Sequence, residues 1–216
     1  MVKTLIVSPH MDDEAISCGG LIQQRLAQGY EVLVMAVFGR VYDHGRTDGS
    51  REEYDDFLTA QAILRYQCHS APLLREGEPG SVGFYSILER VEQVLGYFRP
   101  TEVVGPSSKD LNQDHRHLSH VLDIALRPIN QGRVTRRLDF IGLDGTTQDP
   151  TYFIPLTEPM LQLKQAAIAA YVREMRGGTS PRSPENLRAQ AQVWGAKCGH
   201  ALAEAYHLRL IKEEIA

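Results

Sequence analysis

The sequence alternates short apolar runs with longer amphipathic segments, and this alternation limits the fold more than any other feature. Thr4-Leu5-Ile6-Val7 is an apolar run closed by Ser8-Pro9, which is typical of a strand buried on both faces. A helical pattern over residues 14–28 follows, with Gly29 as its stop, and residues 31–38 form a second apolar run. The order strand, helix, strand predicts a βαβ unit at the start of the chain.

The same order recurs further along the chain. Further strands are predicted at residues 102–106 and 140–143, and further helices at residues 52–66, 85–98, 115–126, 158–175 and 185–205. This pattern predicts an α/β fold: a single Rossmann-like domain over residues 1–216, with a mostly parallel sheet flanked by helices. In sheets of this kind, ligands bind beyond the carboxyl ends of the strands.

Composition excludes several classes of protein. The 216 residues have a formal net charge of −4 without any cluster of Lys and Arg, so a nucleic-acid partner is not expected. No stretch approaches the roughly 20 apolar residues of a membrane span, and the first apolar run is too short for a signal peptide. The three cysteines form no Cys-x-x-Cys pair, which argues against disulfides and a thiolate metal site. We therefore expect a soluble cytoplasmic protein.

Four ionisable side chains follow the first predicted strand directly: His10, Asp12, Asp13 and Glu14. Carboxylates packed so closely repel one another, and a divalent cation is the usual reason that such a cluster is tolerated. Imidazole with carboxylate suits Zn²⁺, with Fe²⁺ or Co²⁺ as substitutes, better than it suits Mg²⁺. The alternative is that Asp12 or Asp13 only caps the helix that begins near Glu14.

A second cluster, Asp110-Leu111-Asn112-Gln113-Asp114-His115-Arg116, follows the strand at residues 102–106 in the same way. Parallel strands end at the same edge of a sheet, so both clusters are expected to face one crevice. Together they offer the three protein ligands that a catalytic zinc site needs, with a fourth position left for water. His117 and His120, on the helix that follows, are interpreted as packing or surface residues.

These motifs resemble those of the LmbE-like, or PIG-L, deacetylase family. The family's first motif, His-Pro-Asp-Asp-Glu followed by Gly-Gly, corresponds to His10-Met11-Asp12-Asp13-Glu14 with Gly19-Gly20. Its second motif, His-x-Asp-His, corresponds to Asn112-Gln113-Asp114-His115. Similarity to family members continues at Lys164, Ala167-Ile168, Tyr171 and Ala203-Glu204-Ala205-Tyr206, so it spans nearly the whole chain.

The resemblance implies a zinc-dependent N-deacetylase. It assigns His10, Asp13 and His115 to the metal, Asp12 to general base catalysis, and Asp114 to orienting or relaying charge at the site. Glu14 is left with a structural role. The chemistry agrees, because zinc activates water and polarises an amide carbonyl, while a carboxylate next to a ligand can accept the water's proton.

Two residues depart from the family pattern. Met11 replaces the proline of the first motif, a change expected to affect only the stiffness of the loop. Asn112 replaces the histidine that many members use to support the oxyanion. An Asn side chain can donate a hydrogen bond to an oxyanion but cannot transfer a proton. We therefore treat Asn112 as a candidate catalytic or substrate contact, with loss or alteration of activity as the alternative.

The implied substrate is an N-acetylated sugar of the N-acetylglucosamine type, as part of a glycoconjugate, sugar nucleotide or secondary metabolite. Arg46 and Arg51 lie in or just after the loop beyond the second strand and are candidates for contacting anionic groups of the substrate. Two alternatives stay open: an amidase of the same family that acts on a non-acetyl amide, and a sugar-binding homologue without catalysis. The sequence leaves the oligomeric state open, homo-oligomers included.

Overall fold

The structure, a computed structural model, describes residues 2–39, 48–69, 74–75, 83–143, 149–175 and 180–213. For residues 48–51 and 74–75 it describes the backbone alone. The strands are β1 (Lys3–Ser8), β2 (Glu31–Ala36), β3 (Phe38–Gly39), β4 (Gln67–Cys68), β5 (Leu74–Arg75), β6 (Glu102–Pro106), β7 (Arg136–Phe140), β8 (Tyr152–Pro155) and β9 (Ala203–Ile211). The helices are α1 (Asp13–Ala27), α2 (Asp48–Leu64), α3 (Phe84–Phe98), α4 (Gln113–Ala125), α5 (Pro128–Gln131), α6 (Glu158–Ala169) and α7 (Pro184–Cys198).

Within the described residues, seven strands form one sheet in the order β4-β2-β1-β6-β7-β9-β8, and β3 pairs separately with β5. The pairs from β4 to β7 are parallel, whereas β9 runs antiparallel to both β7 and β8. The predicted α/β fold with a mostly parallel sheet is therefore confirmed. β1 and β6, the strands that precede the two polar clusters, are neighbours at the centre of the sheet.

Helices cover both faces of this sheet. Ile6 of β1 belongs to the apolar layer under α1, α2 and α6, whereas Leu5 and Val7 belong to the layer under α3 and α4. Successive side chains of a strand point to opposite faces, so a strand covered on both sides needs an unbroken apolar run. For this reason, the first apolar run of the sequence correctly predicts a buried strand.

The prediction for the C-terminal segment is wrong. The helix predicted over residues 185–205 ends at Cys198, where Gly199 adopts the left-handed conformation (φ 79°) that commonly terminates helices. The chain then returns as β9 and pairs with β7 and β8. Alanine-rich sequence such as that around Ala203 and Ala205 suits a helix as well as a buried strand, and only the pairing partners distinguish them.

Two further elements in the second half of the chain differ in extent from the predictions, and one strand was missed. The strand predicted at residues 140–143 is β7, which ends at Phe140. Its first residues, Arg136 and Arg137, hide the strand pattern because they are polar, and they pair with Glu102 and Asp123. The helix predicted over residues 158–175 ends at Ala169 and is followed by a 3-10 turn, Val172–Glu174. Strand β8 was not predicted.

None of the helices in the described ranges combines the length and the hydropathy that a membrane crossing requires.

A buried ion pair fixes α1 against the centre of the sheet, at the edge opposite the polar clusters. The Arg25 guanidinium at the end of α1 donates to both carboxylate oxygens of Glu102 on β6, at 2.7 and 3.0 Å. Thr4 and Arg136 also donate to this carboxylate. Burial raises the pKa of the Glu102 carboxyl, but the hydrogen bonds and charge of Arg25 outweigh burial and hold the pKa below its usual value.

Glu102→Gln is expected to lower the free energy of unfolding by about 3–5 kcal/mol, because it leaves the charge of Arg25 buried without its carboxylate. Urea unfolding at neutral pH measures this loss. Glu31→Gln, which breaks the half-exposed pair between Lys3 and Glu31, is the matched control and should cost about 0–1 kcal/mol. Equal losses in the two variants would contradict the prediction.

The same pair makes a pH-dependent contribution to stability. The folded-state pKa of Glu102 lies below its ordinary value of 4.5, so the contribution is complete above pH 4.5 and is lost as the pH falls through the folded-state pKa. The difference in stability between the wild type and Glu102→Gln should therefore narrow in acid.

Candidate metal centre

The fold brings both polar clusters to one place. β1 and β6 are parallel neighbours, so the segment before α1 and the segment before α4 leave the same edge of the sheet. His10 and Asp114, which are 104 positions apart in sequence, come within hydrogen-bonding distance there. The two clusters border a cavity of about 150 Å³.

His10, Asp13 and His115 form the group in the described part of the chain that could hold a metal ion. One candidate ligand atom from each residue lies within 4.8 Å of the other two. One carboxylate oxygen of Asp13, Oδ2, is 3.2 Å from His10 Nδ1 and 3.1 Å from His115 Nε2. The His10 backbone N–H also donates to this oxygen. Two imidazole nitrogens and one carboxylate oxygen thus converge on a single point.

The opposite nitrogen of each imidazole meets a second carboxylate. His10 Nε2 lies 3.1 Å from Asp114 Oδ2, and His115 Nδ1 lies 2.9 Å from Asp110 Oδ2. This arrangement fixes the ring orientations and leaves His10 Nδ1 and His115 Nε2 to face Asp13, as in carboxylate–histidine–metal sites. The residues therefore fit a four-coordinate cation with one open position, the donor set of a catalytic zinc site.

The electrostatics of the group also suit a cation. Burial lowers the pKa of His115, but the charge of Asp13 and the hydrogen bond to Asp110 outweigh burial and raise the pKa to about 10. Burial raises the pKa of Asp13, but the charge of His115 and the hydrogen bonds from both histidines hold it well below its usual range. The group thus gathers negative charge around imidazoles that a metal ion would deprotonate on binding.

Sequence reasoning gave Asp110 no role, although it included this residue in the second cluster. The signal was available in the spacing, because Asp110 stands five positions before His115 in a segment that turns into a helix. Its other oxygen, Oδ1, accepts from the Asn112 backbone N–H at 2.9 Å, which holds the carboxylate in place.

Asp110→Asn is expected to weaken metal binding by about 10- to 100-fold, because an amide group that donates to His115 Nδ1 places the ring proton on Nε2, the nitrogen that faces Asp13. Competition with a chromophoric chelator measures the affinity. Asp55→Asn, on the exposed side of α2, is the control for the same chemical change. Identical affinities for Asp110→Asn and the wild type would contradict the assignment.

Asp12 lies beside the metal group without belonging to it. It occupies the N-cap position of α1, but its side chain makes no capping hydrogen bond, and its backbone is strained at φ 157° and ψ −27°. The side chain instead accepts from Arg182 Nη2 at 2.6 Å. Burial, followed by the charge of Asp13, raises the pKa of Asp12 to about 8. The hydrogen bonds therefore do not support the alternative that Asp12 only caps α1.

Glu14 faces away from the cavity and into the core. It is completely buried, and Oε1 accepts hydrogen bonds from Tyr66 at 3.1 Å and from Tyr171 at 2.6 Å. Burial raises the pKa of this carboxyl to about 7. These contacts tie α1 to the segments that follow α2 and α6, in keeping with the structural role expected for Glu14.

Asn112 borders the cavity and also begins α4. Its side-chain oxygen accepts from the Asp114 backbone N–H at 2.8 Å, so Asn112 is the N-cap of the helix that carries His115. This capping role was not predicted from the sequence. Because the cap engages Oδ1, the amide N–H donors are the part of the side chain left for a substrate.

Besides Asp110, three charged residues that line the cavity were not predicted from the sequence: Glu53, Glu174 and Arg182. They come from α2, the 3-10 turn and the turn before α7, and nothing in their local sequence marks them as site residues. Arg182 carries the one permanent positive charge among the described residues that line the cavity. Of the two arginines proposed as substrate contacts, Arg46 lies outside the described residues, and Arg51 lies on α2 with only its backbone described.

Comparison with models of protein families gives a match. A sequence model of the family PIG-L, described as GlcNAc-PI de-N-acetylase, matches residues 5–126, a span that includes both polar clusters. No curated protein sequence matched the chain.

Several solved structures share the fold. The conserved protein TT1542 from Thermus thermophilus has 22% identity and a TM-score of 0.79, covering 100% of this chain and 98% of the relative. GalB, the 4-carboxy-2-hydroxymuconate hydratase of Pseudomonas putida, has 19% identity and a TM-score of 0.79, with 100% of each chain covered. N,N′-diacetylchitobiose deacetylase from Pyrococcus horikoshii has 18% identity and a TM-score of 0.76, covering 96% of this chain and 84% of the relative.

Proposed function

Because this chain belongs to the PIG-L family of GlcNAc-PI de-N-acetylases, we propose that it removes the N-acetyl group from an N-acetylglucosamine-type sugar. The observation that carries the proposal is the convergence of His10, Asp13 and His115, with Asp12 beside them at the wall of one cavity. Two imidazoles, one carboxylate and an adjacent unligated carboxylate are the parts that metal-assisted amide hydrolysis requires.

His10, Asp13 and His115 hold the metal in this proposal. Zinc suits two imidazole ligands and one carboxylate, and Fe²⁺ or Co²⁺ could replace it. When bound, zinc lowers the pKa of water and polarises the amide carbonyl. Asp110 and Asp114 orient the imidazoles through their outer nitrogens. In this proposal Asp114 takes the orienting role that the family resemblance implies.

Asp12 moves the protons. As general base it accepts a proton from the attacking water while the water oxygen bonds to the amide carbon. It then passes this proton to the sugar nitrogen as the C–N bond breaks, so the products are acetate and the free amine. Asn112 Nδ2 is proposed to donate a hydrogen bond to the carbonyl oxygen as negative charge develops there.

The size of the cavity suits a small acyl group. Its volume of about 150 Å³ is below the roughly 300–1,000 Å³ of pockets that enclose whole drug-sized ligands. An acetamide and part of one sugar ring are therefore proposed to enter, with the remainder of the glycoconjugate outside. Arg46 and Arg51 stay proposals for contacts with anionic groups of that remainder.

The test is acetate release from a panel of N-acetylated sugars by zinc-loaded protein. The panel contains N-acetylglucosamine, its disaccharide, its nucleotide conjugate and its inositol conjugate. We expect acetate and free amine in equal amounts from at least one of them, and loss of release after chelation. Absence of release with zinc, iron and cobalt would refute the proposal. N-formyl and N-propionyl sugars, added in parallel, identify an amidase with a different acyl preference.

Asn112 is the observation that favours the second candidate, a sugar-binding homologue without turnover, because the family histidine is missing. Asn112→His separates the two candidates. If this variant gains activity on sugars that the wild type binds but does not hydrolyse, the binding function is supported. A wild type that hydrolyses one of these sugars excludes it.

A further inference from the structure

Arg182 lies in the turn before α7 and contacts the acidic segment before α1. Arg182 Nη2 donates to Asp12 Oδ2 at 2.6 Å, across 170 positions of sequence. The Asp12 side chain is 8% exposed and the Arg182 side chain 25% exposed, so the pair is partly shielded from water at the cavity wall. A charged hydrogen bond of this length and burial is stronger and better ordered than an ion pair in open solvent.

The turn that carries Arg182 is held in place by its own hydrogen bonds. Ser180 is buried, and its hydroxyl accepts from the Arg182 backbone N–H at 3.2 Å. The carbonyl of Ser180 accepts from Asn186 Nδ2 at 2.8 Å, and Ser183 caps α7 by accepting from the Asn186 backbone N–H. Both ends of the turn are thus tied to α7, and the guanidinium is presented from a defined backbone.

A second carboxylate lies on the other side of the guanidinium. Arg182 Nη1 is 3.6 Å from Glu174 Oε2, and Glu174 is buried in the 3-10 turn after α6. The two terminal nitrogens of Arg182 therefore face two carboxylates of the protein itself. Arg182 bridges these acids, so it is not an open site for an anionic substrate group.

The bridge determines which oxygen of Asp12 is available. Oδ2 accepts from Arg182, whereas no described residue hydrogen-bonds to Oδ1. We propose that Arg182, held by Glu174, is a positioning residue that fixes Asp12 by Oδ2 and leaves Oδ1 to exchange protons with water and the leaving amine. This inference rests on the proposed function of Asp12, and it adds a residue that the family motifs do not contain.

Positioning matters because a proton is transferred only over hydrogen-bond distances, and a displacement of about 1 Å can cost about 100-fold in rate. Without Arg182, the Asp12 carboxylate can rotate toward the metal group or into the cavity. The substrate contacts would be unaffected, so the loss should fall on kcat and not on KM.

The first experiment measures acetate release by Arg182→Met, Arg182→Lys and Arg182→Ala. We expect kcat to fall by about 100-fold in Arg182→Met with KM changed by less than about threefold. Arg182→Lys should lose less, because it keeps one charged donor. Free guanidinium ion should restore part of the kcat of Arg182→Ala, which a purely structural defect would not allow. Arg188→Gln, which removes an exposed pair between Arg188 of α7 and Glu158 of α6, is the control and should keep wild-type kcat.

The second experiment needs no activity. Tm is measured for Asp12→Ala, Arg182→Met and the double variant, all in metal-free protein. If the two side chains interact, the change in Tm of the double variant should differ from the sum of the changes in the two single variants by about 2 °C or more.

The outcomes separate the two proposals. If the wild type releases acetate but Arg182→Met retains its kcat, or loses it without guanidinium rescue of Arg182→Ala, the positioning role is wrong and the deacetylase proposal stands. If the wild type hydrolyses none of the sugars, the deacetylase proposal fails. The Tm measurements then test whether Arg182 and Asp12 interact. Additive Tm changes would then overturn the inference as well.

Discussion

Asp12→Asn should lower kcat for acetate release by about 10²- to 10⁴-fold, while the zinc content of the protein stays at the wild-type level. The side chain keeps its size and can still accept from Arg182, but an amide cannot take a proton from water. Asp12 lies outside the group formed by His10, Asp13 and His115, so its replacement removes no proposed ligand. Initial rates and metal analysis on the same preparations measure both quantities.

Asp55→Asn, on the exposed side of α2, is the control and should match the wild type in both quantities. A kcat for Asp12→Asn within about threefold of the wild type would remove Asp12 from the proton transfers. A parallel fall in zinc content and kcat would instead make Asp12 a ligand, which would contradict the division of roles proposed above.

His115→Ala is expected to abolish zinc binding and to lower kcat/KM by about 10³-fold or more. The substitution removes one of three proposed ligands, and the bound ion is expected to contribute several kcal/mol of transition-state stabilisation. Zinc content after dialysis and the rate of acetate release check the two parts of the prediction. Neither loss should be reversed by excess zinc.

His120→Ala is the matched control, because His120 lies on the same helix and packs against Phe84 instead of the cavity. It should retain metal and activity. Full metal content in His115→Ala would show that the ion binds elsewhere, and full activity without metal would refute a metal-dependent mechanism. Together with Asp12→Asn, this variant separates the loss of the metal from the loss of the base.

The structural relatives show why the function has to be tested by changing side chains of the site and cannot be inferred from the fold. A hydratase and a deacetylase share this architecture at similar TM-scores. Fold similarity therefore does not select the reaction, and the proposal depends on the donor atoms gathered between β1 and β6. Hydration of an unsaturated carboxylic acid can be added to the substrate panel as the competing reaction.

Most of the fold could be predicted from the sequence, because the central strands are covered on both faces and therefore consist of unbroken apolar runs. The region from β1 to α4 was predicted closely where it is described, apart from the short strands. Prediction failed where patterns were ambiguous. The polar start of β7 depends on partners from β6 and α4, and the alanine-rich start of β9 fits a helix equally well.

Some hydrogen bonds of the site could likewise be predicted from the sequence, and others could not. His10 and Asp13 are three residues apart, so their contact is local. The contact between Asp110 and His115 is also local and could have been found from spacing. By contrast, the bond between Arg182 and Asp12 joins two segments whose own sequences give no hint of each other.

The sequence by itself determined most of the strand–helix order up to α4 and the two polar clusters, because periodicity and turn residues act over a few positions of chain. It also placed both clusters at one edge of the sheet, since parallel strands end on the same side. Only the tertiary structure decided that Asp114 faces His10 Nε2, that Asp13 faces His115 Nε2, and that Arg182 reaches Asp12. These contacts depend on packing between distant segments, where separations of a few ångströms decide hydrogen bonding and no local pattern records them.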